Sequence, residues 1–300
     1  MLIDVKPKVK TINRAIIDAF WGIQMYSKQT LLERMESFFP EAVLDCLREI
    51  GGIGAETHIP VHLVGGSVRD LLLGGRMTDL DLVAEGNALH LADAIAQGIG
   101  GEINDRSQFG TVKLTIKGIP FDLATARTES YTSPGSLPTV APGSLHDDLI
   151  RRDFTINAMV VRLDTDSFGE LFDPLNGQID LEERRIRVLH QNSFRDDASR
   201  ILRAIRYEQR LDFHLDSNTE RLTCRDKSYL GFFSGDRIRR ELGKSLIEPS
   251  PEKVFRRAQQ LGVLSAIHAD LNWDSNFNQL VTRSHLSHPE PKLLLYLALL

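Results

Sequence analysis

Two carboxylates two residues apart, Asp79 and Asp81, follow a pair of adjacent glycines, Gly65 and Gly66, within one short stretch of chain. On an extended strand, side chains at i and i+2 point to one face, so Asp79 and Asp81 project together while Leu80 and Leu82 pack behind them. Such a pair suits hard cations. Magnesium keeps several waters and is usually held by one or two carboxylates plus substrate phosphates, and two ions about 4 Å apart can activate an attacking oxygen and steady a leaving one. The glycines fit the other half of that task, because they let backbone N–H groups approach phosphate oxygens at the start of a helix, where the dipole favours an anion. The spacing is neither GxGxxG nor GxxxxGK followed by Ser or Thr. A DxD alone is most often surface acid, and a GG pair is most often a turn. Their order and closeness, LVGGSVRDLLLGG at Leu63 to Gly75 and then TDLDLV from Thr78, make a layout for holding a triphosphate.

The elements around this layout follow from hydrophobic period. VHLV and DLDLVA read as strands flanking a helical SVRDLLLG, ALHLADAIAQGIG reads as a helix, and TVKLTIKG with IPFDLATA reads as a hairpin turning at Lys117-Gly118. Asp122 then falls on a strand able to lie beside the one bearing Asp79 and Asp81. It is a candidate third carboxylate, and equally a strand acid meeting a basic neighbour. From Thr128 to Asp148, Pro134, Gly135, Pro138, Pro142 and Gly143 mark a loop. Phe154 to Leu163 reads as an extended segment carrying Asn157, and Glu170 to Asp173 as a shorter one. Beyond Leu181 the pattern is helical, over Ala198 to Leu211, Asn218 to Leu222, Gly235 to Ile247 and Glu252 to Leu264. A domain boundary is therefore expected near residue 185. Residues 1 to 50 show helical spacing at Leu31, Leu32, Met35, Phe38 and Phe39 but no motif.

With 300 residues the chain can bury a substantial core and hold two or three domains. Its formal net charge of -5 gives no global sign of nucleic-acid binding. Locally, however, eight arginines stand between Glu183 and Arg210 against four acids. Such a stripe can neutralise phosphates, or can be a solvated face laced with ion pairs. Cys46 and Cys224 are the only cysteines, which suggests neither a disulfide framework nor a zinc site and favours a reducing, cytoplasmic setting. Asp4, Lys6, Lys8 and Lys10 interrupt any signal-peptide core. No apolar run reaches the roughly 18 residues that span a bilayer, and the final LLLYLALL reads as part of a core-facing helix. Nothing offers a nucleophile-elbow Ser, a reactive Cys motif or a clustered His pair.

GGxVRDxLLG followed by DxD resembles the signature of the class II tRNA nucleotidyltransferase and poly(A) polymerase family, within the polymerase-beta-like nucleotidyltransferases. Three later segments extend the resemblance: DDLIRRDFTINAM (Asp147 to Met159), similar to the ribose-recognition segment; DPLNGQIDL (Asp173 to Leu181), similar to the head-to-neck connector; and FRDDASRILRAIRY (Phe194 to Tyr207), similar to the base-recognition helix. The resemblance implies an α+β fold, with a mixed-sheet nucleotidyltransferase head over 51–185, an all-helical neck over 186–250 and part of a helical body over 251–300, after an extension over 1–50 of unknown role. It implies Asp79 and Asp81 as catalytic ligands of two Mg2+ ions, with Asp122 as a candidate third. It also implies nucleotide binding by Gly65, Gly66, Arg69, Asp148, Arg151, Arg152, Asp153, Asn157, Asp196, Asp197, Arg200 and Arg203. CTP and ATP would be the substrates, and a tRNA 3′ end the partner.

On a helix, Asp196 and Asp197 lie i,i+4 and i,i+3 from Arg200, so the three can converge. A guanidinium and carboxylates can match the hydrogen-bonding edge of cytosine or adenine. Alternatively, one Asp caps the helix and Arg200 pairs with it. The family pattern usually has Glu then Asp where this chain has two Asp. The motifs are shared by full CCA-adding enzymes, partial CC- or A-adding enzymes and poly(A) polymerases. Readings of another class are a catalytically idle RNA-binding protein with the same fold, or an enzyme modifying a small molecule or protein. Oligomeric state is left open.

Overall fold

The computed structural model describes residues 28–75 and 79–273. Thr78, the first 27 residues and the LLLYLALL run lie outside the described residues. The centre of the molecule is a seven-stranded mixed sheet in the order β3-β4-β5-β2-β1-β8-β9. Its strands are β1 (Val61–Val64), β2 (Asp81–Ala84), β3 (Glu102–Ser107), β4 (Thr111–Ile116), β5 (Ile119–Thr125), β8 (Val160–Arg162) and β9 (Leu171–Phe172). Only β2 and β5 run parallel, with Asp81 opposite Asp122. All four residues of β1 are buried, as expected for a central strand covered on both faces. Each fully buried aliphatic there contributes about 1.5–3 kcal/mol.

Helices α1 (Lys28–Phe38) and α2 (Glu41–Glu56) precede the sheet. Leu31, Met35, Phe39, Leu47 and Ile50 are buried in the same core as Val61 and Leu82, so the residues read as an extension build the head from about residue 28. The expected boundary at 50/51 falls inside α2. There a Cβ on Gly51 would overlap the Leu163 carbonyl, which shows how closely that helix packs against the end of β8. Helix α3 (Gly66–Leu73) follows β1 directly, and α4 (Ala88–Ile99) begins where the Asn87 side chain accepts from the backbone N–H groups of Leu89 and His90.

The stretch Thr128 to Asp148 departs from the loop expected of it. Strands β6 (Arg127–Ser130) and β7 (Thr139–Pro142) pair antiparallel, and α5 (Leu145–Ile150) starts with a Ser144–Asp147 capping box, which leaves only 131–138 irregular. A two-stranded ribbon has free edges, where Pro138 and Pro142 cost no ladder bond. The extended reading of Phe154 to Leu163 is likewise corrected. Thr155–Asn157 is a 3-10 turn, closed by the Asn157 amide donating to Asp153, and only Val160–Arg162 is strand.

After α6 (Gly177–Glu182) the chain is helical apart from the short pair β10 (Arg185–Ile186) and β11 (His214–Leu215). The principal neck helix, α8 (Ser199–Leu211), follows the four-residue α7 (Ser193–Asp196). It turns Ile201, Leu202 and Ile205 into the core and carries Arg200, Arg203, Tyr207 and Arg210 on another face. Beside it pack α10 (Gly235–Leu246) and α11 (Pro251–Gln260), after α9 (Ser217–Asp226); α12 (Val263–Ile267) follows.

Candidate active site

A cavity of about 550 Å³ opens between the sheet and the neck. Its floor is the turn from β1 into α3. Gly65 holds φ +77°, a left-handed conformation that favours glycine, and a Cβ there would stand 3.2 Å from an Arg152 nitrogen and 3.6 Å from an Asp81 oxygen. Ser67, in the first turn of α3, donates its hydroxyl to the Asp79 carbonyl at 2.6 Å and accepts from the Asp81 N–H at 3.2 Å. The glycine turn and the acidic segment are thereby fixed to one another. Asp79 itself lies just ahead of β2, which begins at Asp81.

Asp79 and Asp81 both line the cavity, and among the described residues neither forms a salt bridge. The Asp81 carboxyl is pushed up to about 6, first by burial and then by the Asp122 and Asp79 carboxylates, with Arg152 opposing. A buried acid that resists ionisation beside other acids suits a bound cation. Asp122 sits beside Asp81 in the sheet, but its half-exposed carboxylate lies 3.3 Å from the Lys113 ammonium and does not line the cavity.

The opposite wall is arginine held in fixed forks. Asp148, fully buried, accepts from Arg152 at 2.8 Å and from Arg151 Nε at 3.0 Å. Burial raises its pKa, and the two guanidiniums outweigh that, leaving it below the ordinary value. Asp148 therefore lies behind the wall, while Arg151 and Arg152 face the cavity. Arg151 also donates to Glu129 at 3.0 Å, and Glu129 in turn accepts from Arg127 at 2.7 Å and from the Tyr131 hydroxyl at 2.8 Å.

Asp153 is buried as well. Its Oδ1 accepts from the Phe154 N–H and the Asn157 amide, and its Oδ2 takes two donors from Arg203, one of them Nε at 2.9 Å. All four acceptor sites of the carboxylate are thereby occupied. Burial would raise its pKa, but the Arg203 charge and these hydrogen bonds hold it at about 2. On its oxygen side Asn157 accepts from Arg69, whose Nη1 donates at 2.8 Å.

At the neck, Asp196, Asp197 and Arg200 do not share a helical face. The helix breaks at Asp197 (φ -140°, ψ 95°), which accepts from the Ser199 N–H and hydroxyl at the start of α8. Asp196 ends α7, faces His190 at 3.8 Å and lies outside the cavity lining. Arg200 pairs with neither acid. It donates to the Ser193 hydroxyl at 2.9 Å and to the Arg151 carbonyl at 2.7 Å, which ties neck to head.

The cavity thus brings together Gly65, Gly66, Arg69, Asp79, Asp81, Arg151, Arg152, Asp153, Asn157, Asp197, Arg200 and Arg203, and leaves Asp122, Asp148 and Asp196 off its surface. It adds residues that sequence reasoning passed over: Glu129 and Tyr131 from β6 and the segment after it, Ser199, Tyr207 and Arg210 from α8, and Arg237, Arg240 and Glu241 from α10. The 237/240/241 spacing on one helical face was the available signal for the last three.

A mixed sheet presenting acids to an arginine-lined seam with a helical neck is the architecture of a polymerase-beta-like nucleotidyltransferase head. The family model described as the poly A polymerase head domain matches residues 61–187, and that described as the probable RNA and SrmB-binding site of polymerase A matches 212–273. An A-adding tRNA nucleotidyltransferase of Geobacter sulfurreducens is 40% identical over 248 residues, covering 81% of this chain and 28% of the relative. The apo form II of a CCA-adding enzyme superposes with a TM-score of 0.80 at 39% identity, covering 86% of this chain and 62% of that one. A tRNA nucleotidyltransferase in complex with a primer tRNA and an incoming ATP analogue does so at 0.70 and 35%, covering 83% and 73%. The chain belongs to the tRNA nucleotidyltransferase and poly(A) polymerase family. It spans less than two thirds of the first two of these three proteins. Other relatives carry the names CC-adding tRNA nucleotidyltransferase, from Deinococcus radiodurans, and CCA-adding enzyme, from Lactobacillus johnsonii.

Proposed function

We propose that this chain carries the catalytic part of a template-independent nucleotidyltransferase that builds all or part of the CCA end of tRNA from CTP and ATP. The observation that carries the reading is the pairing, in one cavity, of two acids without salt-bridge partners among the described residues and a wall of arginines held in place by buried acids. The RNA 3′-oxygen forms a bond to the α-phosphorus, the bond from that phosphorus to the bridging oxygen breaks, pyrophosphate leaves, and the hydroxyl proton passes to solvent.

Arg151 and Arg152, braced by Asp148, would meet phosphate oxygens with forked donors. Without a Cβ, Gly65 keeps its backbone clear beside Arg152 and Asp81, where the triphosphate would lie. With its acceptors filled, Asp153 acts by aiming Arg203 and Asn157 rather than by receiving ribose hydroxyls. Asp197 and Arg200 line the neck side of the cavity and would read a base edge; Asp196 is outside its lining. Among the described residues no three His, Cys, Asp or Glu side chains converge as a metal cluster. Asp79 and Asp81 would therefore hold Mg2+ together with substrate phosphates. Bound there, the ions would lower the pKa of the attacking hydroxyl and neutralise phosphate charge. No helix among the described residues is long and apolar enough to cross a membrane.

A narrower reading, addition of the terminal A alone, is supported by the names of two relatives 40% and 35% identical over 81% of this chain, both A-adding enzymes. The test is extension of tRNA transcripts ending before CCA, after C or after CC, with Mg2+ and CTP, ATP or both. Extension of all three to the full end supports CCA addition, and extension only of the transcript ending in CC supports the A-adding reading. If no transcript is extended and neither nucleotide binds, the enzymatic reading fails.

A further inference from the structure

We propose that Tyr207 is a positioning residue for the nucleotide site: its ring, supplied by the neck, fixes the Arg69 guanidinium beside the glycine turn of the head. The inference rests on reading the cavity as a nucleoside triphosphate site.

Tyr207 is 9% exposed and lines the cavity from α8. The Arg69 guanidinium carbon stands 5.1 Å from its ring centroid, with those of Arg206 at 5.1 Å and Arg203 at 5.7 Å. Phe154 meets the same ring edge-on at 5.9 Å, which fixes its tilt. Within the head, all three guanidinium nitrogens of Arg69 are already held, Nε and Nη2 by Asp70 at 2.8 Å and Nη1 by Asn157 at 2.8 Å. Its Nη2 lies 3.5 Å from where a Cβ on Gly66 would stand.

Those hydrogen bonds lie in the plane of the guanidinium and engage its edges, so its faces are left to whatever packs against them. A ring over that face restrains tilt without consuming a donor, and it attracts the cation more strongly where water is excluded. Among the described residues the Tyr207 hydroxyl forms no hydrogen bond within the protein. The π-face is therefore the working part of this side chain. A cation beside the phosphate turn of one domain is thus held at its edges by that domain and restrained on a face by an aromatic ring of the next.

The test measures equilibrium binding of ATP and CTP, each with Mg2+, to the full chain, together with kcat and KM for nucleotide on a tRNA transcript ending in CC. Tyr207→Leu is expected to weaken nucleotide binding about threefold to thirtyfold and to raise KM to match, with kcat within about threefold of wild type. Tyr207→Phe, which keeps the ring, is expected to recover binding to within about twofold. Thermal unfolding checks that each variant folds, and Tyr207→Met, a chain of similar reach without a π-face, replaces Leu if Leu does not. Loss in Phe equal to that in Leu overturns the proposal, because the hydroxyl would then be the working group. A Leu variant with lowered Tm but wild-type nucleotide affinity also overturns it, because the ring would then be packing alone. If the wild type binds neither nucleotide, the parent reading falls and takes this inference with it.

Discussion

Asp81 and Asp153 line the same cavity in opposite surroundings. Asp81 is pushed up to about 6 by burial beside Asp122 and Asp79, whereas Asp153, more deeply enclosed, is held at about 2 because Arg203 and Asn157 fill its lone pairs. Burial raises both; what separates them is whether the chain supplies the compensating cation. At Asp153 it does, through an arginine from the neck. At Asp81 Arg152 offsets the burial only in part, which is the condition for recruiting a cation with the substrate. One carboxylate is finished structure and the other is half of a site.

The comparison breaks hardest in activity. Replacing both acids, Asp79→Ala with Asp81→Ala, is expected to reduce nucleotide transfer at least about 10³-fold, the scale seen when a group stabilising developing charge is removed, while thermal unfolding shows a fold at least as stable. A variant that retains a tenth of wild-type transfer would mean that these acids are not the metal-holding pair.

Arg203→Ala probes the other side. It strands Asp153 without its cation, and breaking a buried pair costs about 3 kcal/mol, at the lower end of the usual range because the arginine is partly exposed. Urea unfolding measures the loss, and adding Asp153→Asn should restore part of it. A loss below about 1 kcal/mol would make the pair ornamental.

The smallest effect sharpens the contrast through pH. The folded pKa of Asp81 lies above its unfolded value, so the native state holds more protons between about pH 4 and 6, and stability falls as pH rises through that window. In metal-free protein Asp81→Asn should therefore be more stable than wild type above pH 6, by on the order of 1–2 kcal/mol, with the gain fading toward pH 4. Asp153 has the opposite sign. Its contribution is present above about pH 4 and disappears as pH falls toward 2. Chemical denaturation at several pH values distinguishes the two, and a pH-independent Asp81→Asn effect would remove the basis of the comparison.

What the sequence disclosed was local in character. Gly65, Gly66 and Asp81 are legible because a glycine turn and the start of a strand are short-range facts, whereas Asp79 lies just ahead of β2, outside the strand period expected to pair it with Asp81, and is fixed there by the Ser67 hydroxyl. The α8 face bearing Arg200, Arg203 and Arg210 follows from helical spacing in the same way. The β6/β7 ribbon was hidden because prolines report turns and say little about an edge pair that tolerates them. Asn157 was misplaced because a buried apolar run does not distinguish a strand from a tight 3-10 turn. Glu129 and Tyr131 carry no local mark at all, and the helical spacing of Arg237 and Arg240 marks a face without saying what it faces; all four reach the cavity only because the ribbon and α10 fold toward it from distant parts of the chain. The base-reading trio failed as a unit for a related reason, since Asp197 interrupts the helix that the spacing argument assumed to be continuous.

The position of β1 between β2 and β8 also matters during synthesis. Residues 62–64 pair with 160–162, so the backbone N–H and C=O groups on the β8 side of VHLV stay unpaired until the later strand has left the ribosome. At about 5–20 residues per second, the roughly 100 residues between them take on the order of 10 s. For that interval the nascent chain carries an open strand edge on which another chain can pair.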